Sequence, residues 1–261
     1  MAVDIGEMLD RLLVEDARYV DDTHDYRLTM VPLGEVTLPS GRVVACDPLV
    51  HPGETPPFTV TVPPGRYPLR AWVAVVHPAA GDRPGGRRLA DQRVLASGPP
   101  PGGPLTRDRA SPARDHAAST RDRATPGRDR PESDRRTAAL QLVIREEPVV
   151  AWEPAVVPGA DPGLLDEDGF WAYPVDSGVG TLADECALAA LETWAYARVE
   201  RVFLPEPPPP APGALRAIAD PATGADVVAV STGWGEDAYA TFVGRTASGE
   251  VASFVTDFRV V

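Results

Sequence analysis

Phe58-Thr-Val-Thr-Val-Pro-Pro-Gly-Arg-Tyr-Pro-Leu-Arg-Ala-Trp-Val-Ala-Val-Val76 decides the fold class. Its first five residues alternate strictly, placing Phe58, Val60 and Val62 on one face of an extended segment, the period of a half-buried strand. Pro63, Pro64 and Gly65 then turn the chain. From Tyr67 to Val76 both parities are apolar, with Leu69, Ala71, Val73 and Val75 on one side and Trp72, Ala74 and Val76 on the other. A strand of that kind needs cover on both faces and belongs in the middle of a sheet.

Working outward, Val36-Thr-Leu-Pro-Ser-Gly-Arg-Val-Val-Ala45 sets two short apolar runs around a Pro-Ser-Gly turn and reads as a β-hairpin. Nearer the N-terminus, Ile5, Met8, Leu9, Leu12 and Leu13 recur at helical spacing, so residues 1–20 are expected to hold one amphipathic helix. Downstream, Leu140, Leu142 and Ile144 resume the alternation over Ala138 to Arg145, as the next strand of the same sheet. Between about 79 and 136 the periodicity stops and Pro, Gly, Arg and Asp take over. Within that stretch Thr106–Ser119 is repeated directly by Thr120–Ser133, with nine of fourteen positions identical and no apolar face to stack. The reading is a disordered, duplicated insertion. Because strands flank it, it interrupts one β-rich domain over 21–261 rather than joining two.

The chain has 261 residues and a formal charge of -13. Clustered cations are what a polyanion surface selects, so nucleic acid and anionic lipid are poor partners for it. The insertion carries nine Arg against six acids over 106–136, which leaves about -16 on the remainder. All 25 basic residues are arginine, which removes Schiff-base and P-loop lysine chemistry. No apolar run reaches the roughly 18 residues that span a bilayer, and the N-terminus is acidic where a secretory leader is basic, so the expected address is the cytoplasm. The two cysteines, Cys46 in a strand-like run and Cys186 on a helix, read as separate reduced thiols.

Chemistry, if present, is expected from three C-terminal stretches. Gly178-Val-Gly180-Thr181 leads into a helix over 182–199, with Thr181 as N-cap and Asp184 at the capping-box position; Asp184 and Glu185 would occupy the first turn that a phosphate could otherwise use. Leu182, Cys186, Ala190 and Trp194 form its inward stripe. Asp176 and Ser177 precede the first glycine and suit an Asx-type turn or, for the acid, proton transfer. Thr232-Gly-Trp-Gly-Glu-Asp-Ala-Tyr239 joins a strand over 227–231 to one over 239–246, with Trp234 either plugging a hairpin or offered to a ligand. Glu236 and Asp237 are weak candidates for a hard cation. In the last strand Phe254, Phe258 and Val260 share one face, and Asp257 lies on the other, read as solvent. The four histidines, His24, His51, His77 and His116, lie outside these stretches, and no H-E-x-x-H, G-x-S-x-G or C-x-x-C spacing occurs.

Gly41-Arg-Val-Val-Ala-Cys-Asp47-Pro-Leu, Pro64-Gly-Arg-Tyr-Pro68, Tyr173-Pro-Val-Asp176-Ser-Gly178, Ala183-Asp184, Gly233-Trp234-Gly235 with Tyr239, and Thr256-Asp257-Phe258 together resemble domain of unknown function 4241, a mainly bacterial family. The resemblance runs from about residue 34 to the C-terminus. The family pattern is Ser-Gly-Trp-Gly-Asp-Gly before the tyrosine, and here Thr232, Glu236 and Asp237 stand in place of the serine, the aspartate and the last glycine. The resemblance brings no activity with it.

The fold expected is mainly β with two packed helices (α+β), as a β-sandwich or strongly bent antiparallel sheet of eight to ten strands. Two functions compete. The first is a cytosolic binding or protein-interaction module, immunity-like in its acidic charge, meeting a protein or small-molecule partner through Ser177, Gly178, Gly180, Gly233, Trp234, Gly235 and Tyr239. The second is a small hydrolase that uses Asp176, Asp184 and Asp257, with or without a divalent metal. No cofactor is indicated.

Overall fold

The computed structural model describes residues 5–50, 52–78, 94–96, 134–160 and 170–261. Backbone contacts divide the chain into two units, 1–98 with 133–261 and 99–132, and the described residues all lie in the first. The tandem repeat, most of the expected insertion, His51 and His116 lie outside the described residues.

Strand β4 (Gly65–Pro78) is central, as its two apolar faces require: it pairs antiparallel with β2 (His24–Leu38) on one side and β6 (Asp134–Val143) on the other. The sheet extends through β1 (Arg18–Val20), β13 (Val251–Asp257), β12 (Asp237–Arg245), β8 (Phe170–Val175) and β5 (Val94–Ala96), in the order β1-β2-β4-β6-β13-β12-β8-β5. The short β7 (Ala151–Pro154) shares with β8 one edge of β12, β7 opposite Phe242–Arg245 and β8 opposite Asp237–Ala240. Register shifts at Pro32/Glu35, Trp72/Val73 and Gly244/Arg245 bend the ladder, and the sheet is strongly curled. A second sheet has the order β10 (Leu215–Asp220), β11 (Ala225–Ser231), β9 (Val179–Asp184), β3 (Val43–Cys46).

Strand periodicity distributes the core between layers. Leu38, Leu69, Leu142, Val243 and Phe254 of the large sheet meet Val43, Leu182, Val228 and Val230 of the small one. On the outer face of the large sheet Tyr26, Leu28, Trp72 and Val255 are covered by Leu9 and Leu12 of α1 (Ile5–Leu12), the helical stripe anticipated at the N-terminus. The outer face of the small sheet, with Val44, Ala183, Val227 and Ala229, carries α2 (Glu185–Glu192) and α3 (Tyr196–Phe203). Each fully buried leucine in these layers contributes roughly 2 kcal/mol.

Five local expectations need correction. The Val36–Ala45 hairpin does not form: β2 ends in the large sheet and β3 begins in the small one, so Gly41, at φ +69°, turns a corner between sheets. Phe58, Val60 and Val62 do face the inter-sheet core, but prolines on either side limit this segment to an isolated bridge between Arg42 and Thr61 and three backbone bonds, to Val43, Val156 and Gly41. Residues 182–199 are not one helix. Thr181, Leu182 and Ala183 pair with Cys46, Ala45 and Val44 in β9, the helix starts at Glu185, and it breaks at 193–195. The strands before and after Thr232–Glu236 do not pair with each other, because β11 lies in the small sheet and β12 in the large one. Last, β6 begins at Asp134, inside the span assigned to the insertion. The final hairpin joins β12 to β13 through Thr246 and Gly249.

Candidate functional site

The three C-terminal stretches meet at one end of the sheet pair. Thr232 N donates to Gly178 O at 2.9 Å, and a Cβ placed on Gly178 would stand 3.8 Å from the Gly235 Cα. Gly233 lies against the closing tail so closely that a Cβ there would fall 2.4 Å from the Phe258 carbonyl oxygen. The Tyr239 ring meets Phe258 edge to face at 5.1 Å, while its hydroxyl donates to Gly235 O at 2.7 Å. Gly180 is closely enclosed: a Cβ would come within 3.0 Å of the Tyr173 hydroxyl and 3.2 Å of the Thr232 methyl.

Asp47 holds the first stretch in place, and sequence reasoning missed it. Its buried carboxylate accepts from Ser177 Oγ at 2.7 Å, from the Ser177 and Asp176 amides at 2.8 and 3.1 Å, and from Leu49 N at 2.9 Å. The available signal was the pattern itself, an acid placed directly before Pro48 at the end of a buried run. With its amide taken, Asp176 keeps its own side chain exposed.

Asp184 is fully buried and fully used. It is the N-cap of α2, accepting from Cys186 N at 2.9 Å, and it also accepts from Ser40 Oγ at 2.9 Å and from the Ser40 and Gly41 amides at 3.1 Å. It therefore clasps the corner before β3 to the start of the helix, a cap position assigned in sequence to Thr181, whose hydroxyl instead donates to Val228 O. β9 separates Asp184 from the Asp176 turn, and at a strand rise of about 3.3 Å per residue its ends are ~16 Å apart.

Asp257 is buried, contrary to the solvent-facing reading, because α1 and its neighbours cover that face too. In register it is flanked by Ala139 and Ala240. Burial pushes its carboxyl up to about 6, against the Arg259 amide, which donates to it at 2.8 Å, and the Arg259 charge. Arg259 sits at φ +56° and pairs with Asp237 at 3.6 Å, linking the tail to the start of β12. That left-handed residue breaks the strand alternation, so Val260 joins the α1 side and not the face of Phe254 and Phe258.

Trp234 projects from this assembly and is 49% exposed. Arg136 stacks on the indole with Cζ 4.6 Å from the ring centroid, and is itself fixed by Asp134 at 3.0 Å. The His24 ring lies 6.4 Å away, which brings a histidine beside a stretch that has none in sequence. His24 is braced in turn by Thr23, whose hydroxyl bonds Nδ1 at 2.8 Å. Glu236 and Asp237 are exposed beside the indole. Among the described residues no group of three or more His, Cys, Asp or Glu side chains is arranged to hold a metal ion, and no helix is long and apolar enough to cross a membrane. Cys46 and Cys186 are both free thiols.

A family model described as "Protein of unknown function (DUF4241)" matches residues 36–100 and 118–256. No curated protein and no solved structure matches the chain.

Proposed function

The chain belongs to the DUF4241 family, and from that premise we propose that it is a non-catalytic interaction module whose contact surface centres on Trp234. The observation that carries this reading is an exposed indole already placed by its neighbours: Arg136 stacks on it, Asp134 pairs with the arginine and the His24 ring lies 6.4 Å away. Such a ring loses little freedom on binding, which is why rigid aromatics anchor interfaces. The candidate acids do not favour the hydrolase alternative. Asp184 has spent its oxygens on four donors, Asp257 is turned to the α1 side, and Asp176 stands alone at the rim. An immunity-like role in the cytoplasm, in which a basic protein is neutralised, is the narrower form of the proposal, and the charge of -13 supports it.

The test is capture from cells of the native host with the immobilised full chain and with Trp234→Ala. The substitution is expected to cost under about 1 kcal/mol of stability, since the ring is half in solvent, and to abolish retention of the partner that the unaltered chain holds. Equal retention by both chains overturns the proposal.

A further inference from the structure

Two buried donors on β8, the indole N–H of Trp171 and the hydroxyl of Tyr173, meet no hydrogen-bond partner among the described residues. Folded chains pair nearly all such atoms, because a buried donor has given up its water. The two residues stand two apart on the strand, so alternation directs both to the inter-sheet side, with Cα atoms about 7 Å from each other. Gly180 lies against the Tyr173 hydroxyl, where a Cβ would stand 3.0 Å away, and brings it no side chain. The Thr256 hydroxyl is near enough to act on it, but is bonded to Thr241 Oγ1 at 2.9 Å. Burial pushes the Tyr173 hydroxyl well above the ordinary tyrosine range, so it keeps its proton and stays a donor.

Trp171 and Tyr173 line one cavity, walled also by Phe58, Ala155, Val157 and Thr241. The volume open to the centre of a water molecule is about 10 Å³, which is the room one water needs and too little for an organic ligand. At about 2.9 Å to each partner, one water accepts from two donors up to about 5.8 Å apart and keeps its own hydrogens for oxygens such as Thr241 Oγ1. We infer that this cavity is a binding site for one structural water, held by the Trp171 indole N–H and the Tyr173 hydroxyl. A dry cavity is the state of an apolar lining, and this lining carries two donors. The site lies in the core, and the inference stands whether or not Trp234 anchors a partner.

The experiment is a crystal structure of the full chain, at a resolution that shows ordered water, with nuclear magnetic resonance of the same chain in solution. Density for one water is expected within about 3.2 Å of both Trp171 Nε1 and Tyr173 Oη. In solution the Trp171 indole proton, identified as the signal missing from Trp171→Phe, is expected to cross-relax with a water that tumbles with the protein. Tyr173→Phe keeps the ring, removes the hydroxyl, and is expected to weaken that cross-peak severalfold. Should either variant fail to fold, the density in the unaltered chain decides. A dry cavity, or a protein atom paired with both donors, overturns the inference. So does a Trp171 indole proton that meets no long-lived water.

Discussion

Asp257 is where burial and charge are most directly opposed. Its folded-state carboxyl keeps its proton up to about pH 6, while the unfolded chain releases it near the ordinary 3.8, so the fold binds more protons across that window. Stability from this group is therefore fully present below about pH 4 and is lost as pH rises through 6, by about 2–3 kcal/mol. Asp257→Asn keeps an acceptor for the Arg259 amide and removes the buried charge. It is expected to raise stability at pH 7.5 by about 2 kcal/mol and to flatten the slope between pH 4 and 6.5, as read by urea unfolding at several pH values. An unchanged slope would assign the pH dependence elsewhere. Residue type in sequence singled out Asp176, Asp184 and Asp257 as candidate acids, but it placed the buried Asp257 in solvent and did not give the uses the three are put to. Asp47 was passed over because its four donors come from residues that are remote in the chain or lie in its own turn.

At the scale of elements, periodicity carried furthest where one element repeats one pattern. The α1 stripe, the doubly apolar β4 and the β6 alternation all formed, since each apolar face of these elements meets one layer of the core. Residues 182–199 misled because an Ala- and Leu-rich run satisfies a helix and a buried strand alike. What decides it is that Ala45 and Val44 of β3 lie opposite Leu182 and Ala183. The same applies to the tryptophan loop, which resembles a hairpin locally and is a crossing between sheets. That crossing depends on Gly233. Its φ is not left-handed, so Gly233→Ala acts through sterics alone, driving a methyl into the Phe258 carbonyl oxygen at 2.4 Å and the Val260 methyl at 2.8 Å. We expect a loss of about 2 kcal/mol or more, measured by thermal melting, together with a changed Trp234 environment in fluorescence. A variant with the melting midpoint of the unaltered chain would show that loop and tail are not in contact.

Across the whole of the described unit, the two sheets are joined by more than apolar contact. Arg216 on β10 donates to Asp226 at 2.7 Å and to the Glu35 and Leu33 carbonyls at 2.7 and 2.8 Å, at the bulge of β2, while Thr37 N donates to the other oxygen of Asp226. Arg216→Met would leave the buried Asp226 with the Thr37 amide as its donor and remove the two bonds to the β2 carbonyls. It is expected to cost about 3 kcal/mol and to lower one common unfolding transition, seen alike in far-ultraviolet dichroism and tryptophan fluorescence. Two separated transitions would mean that the sheets unfold independently. The sequence by itself determined that the chain is mainly β, which strand is central, where the first helix lies and which C-terminal stretches are unusual, because these follow from spacing between near neighbours. Tertiary structure alone decided which strands share a sheet, that both faces of the large sheet are covered, and that Arg136, His24 and Trp234 stand together. Partners of that kind are tens to hundreds of residues apart, and nothing in local patterning records the closure that brings them into contact.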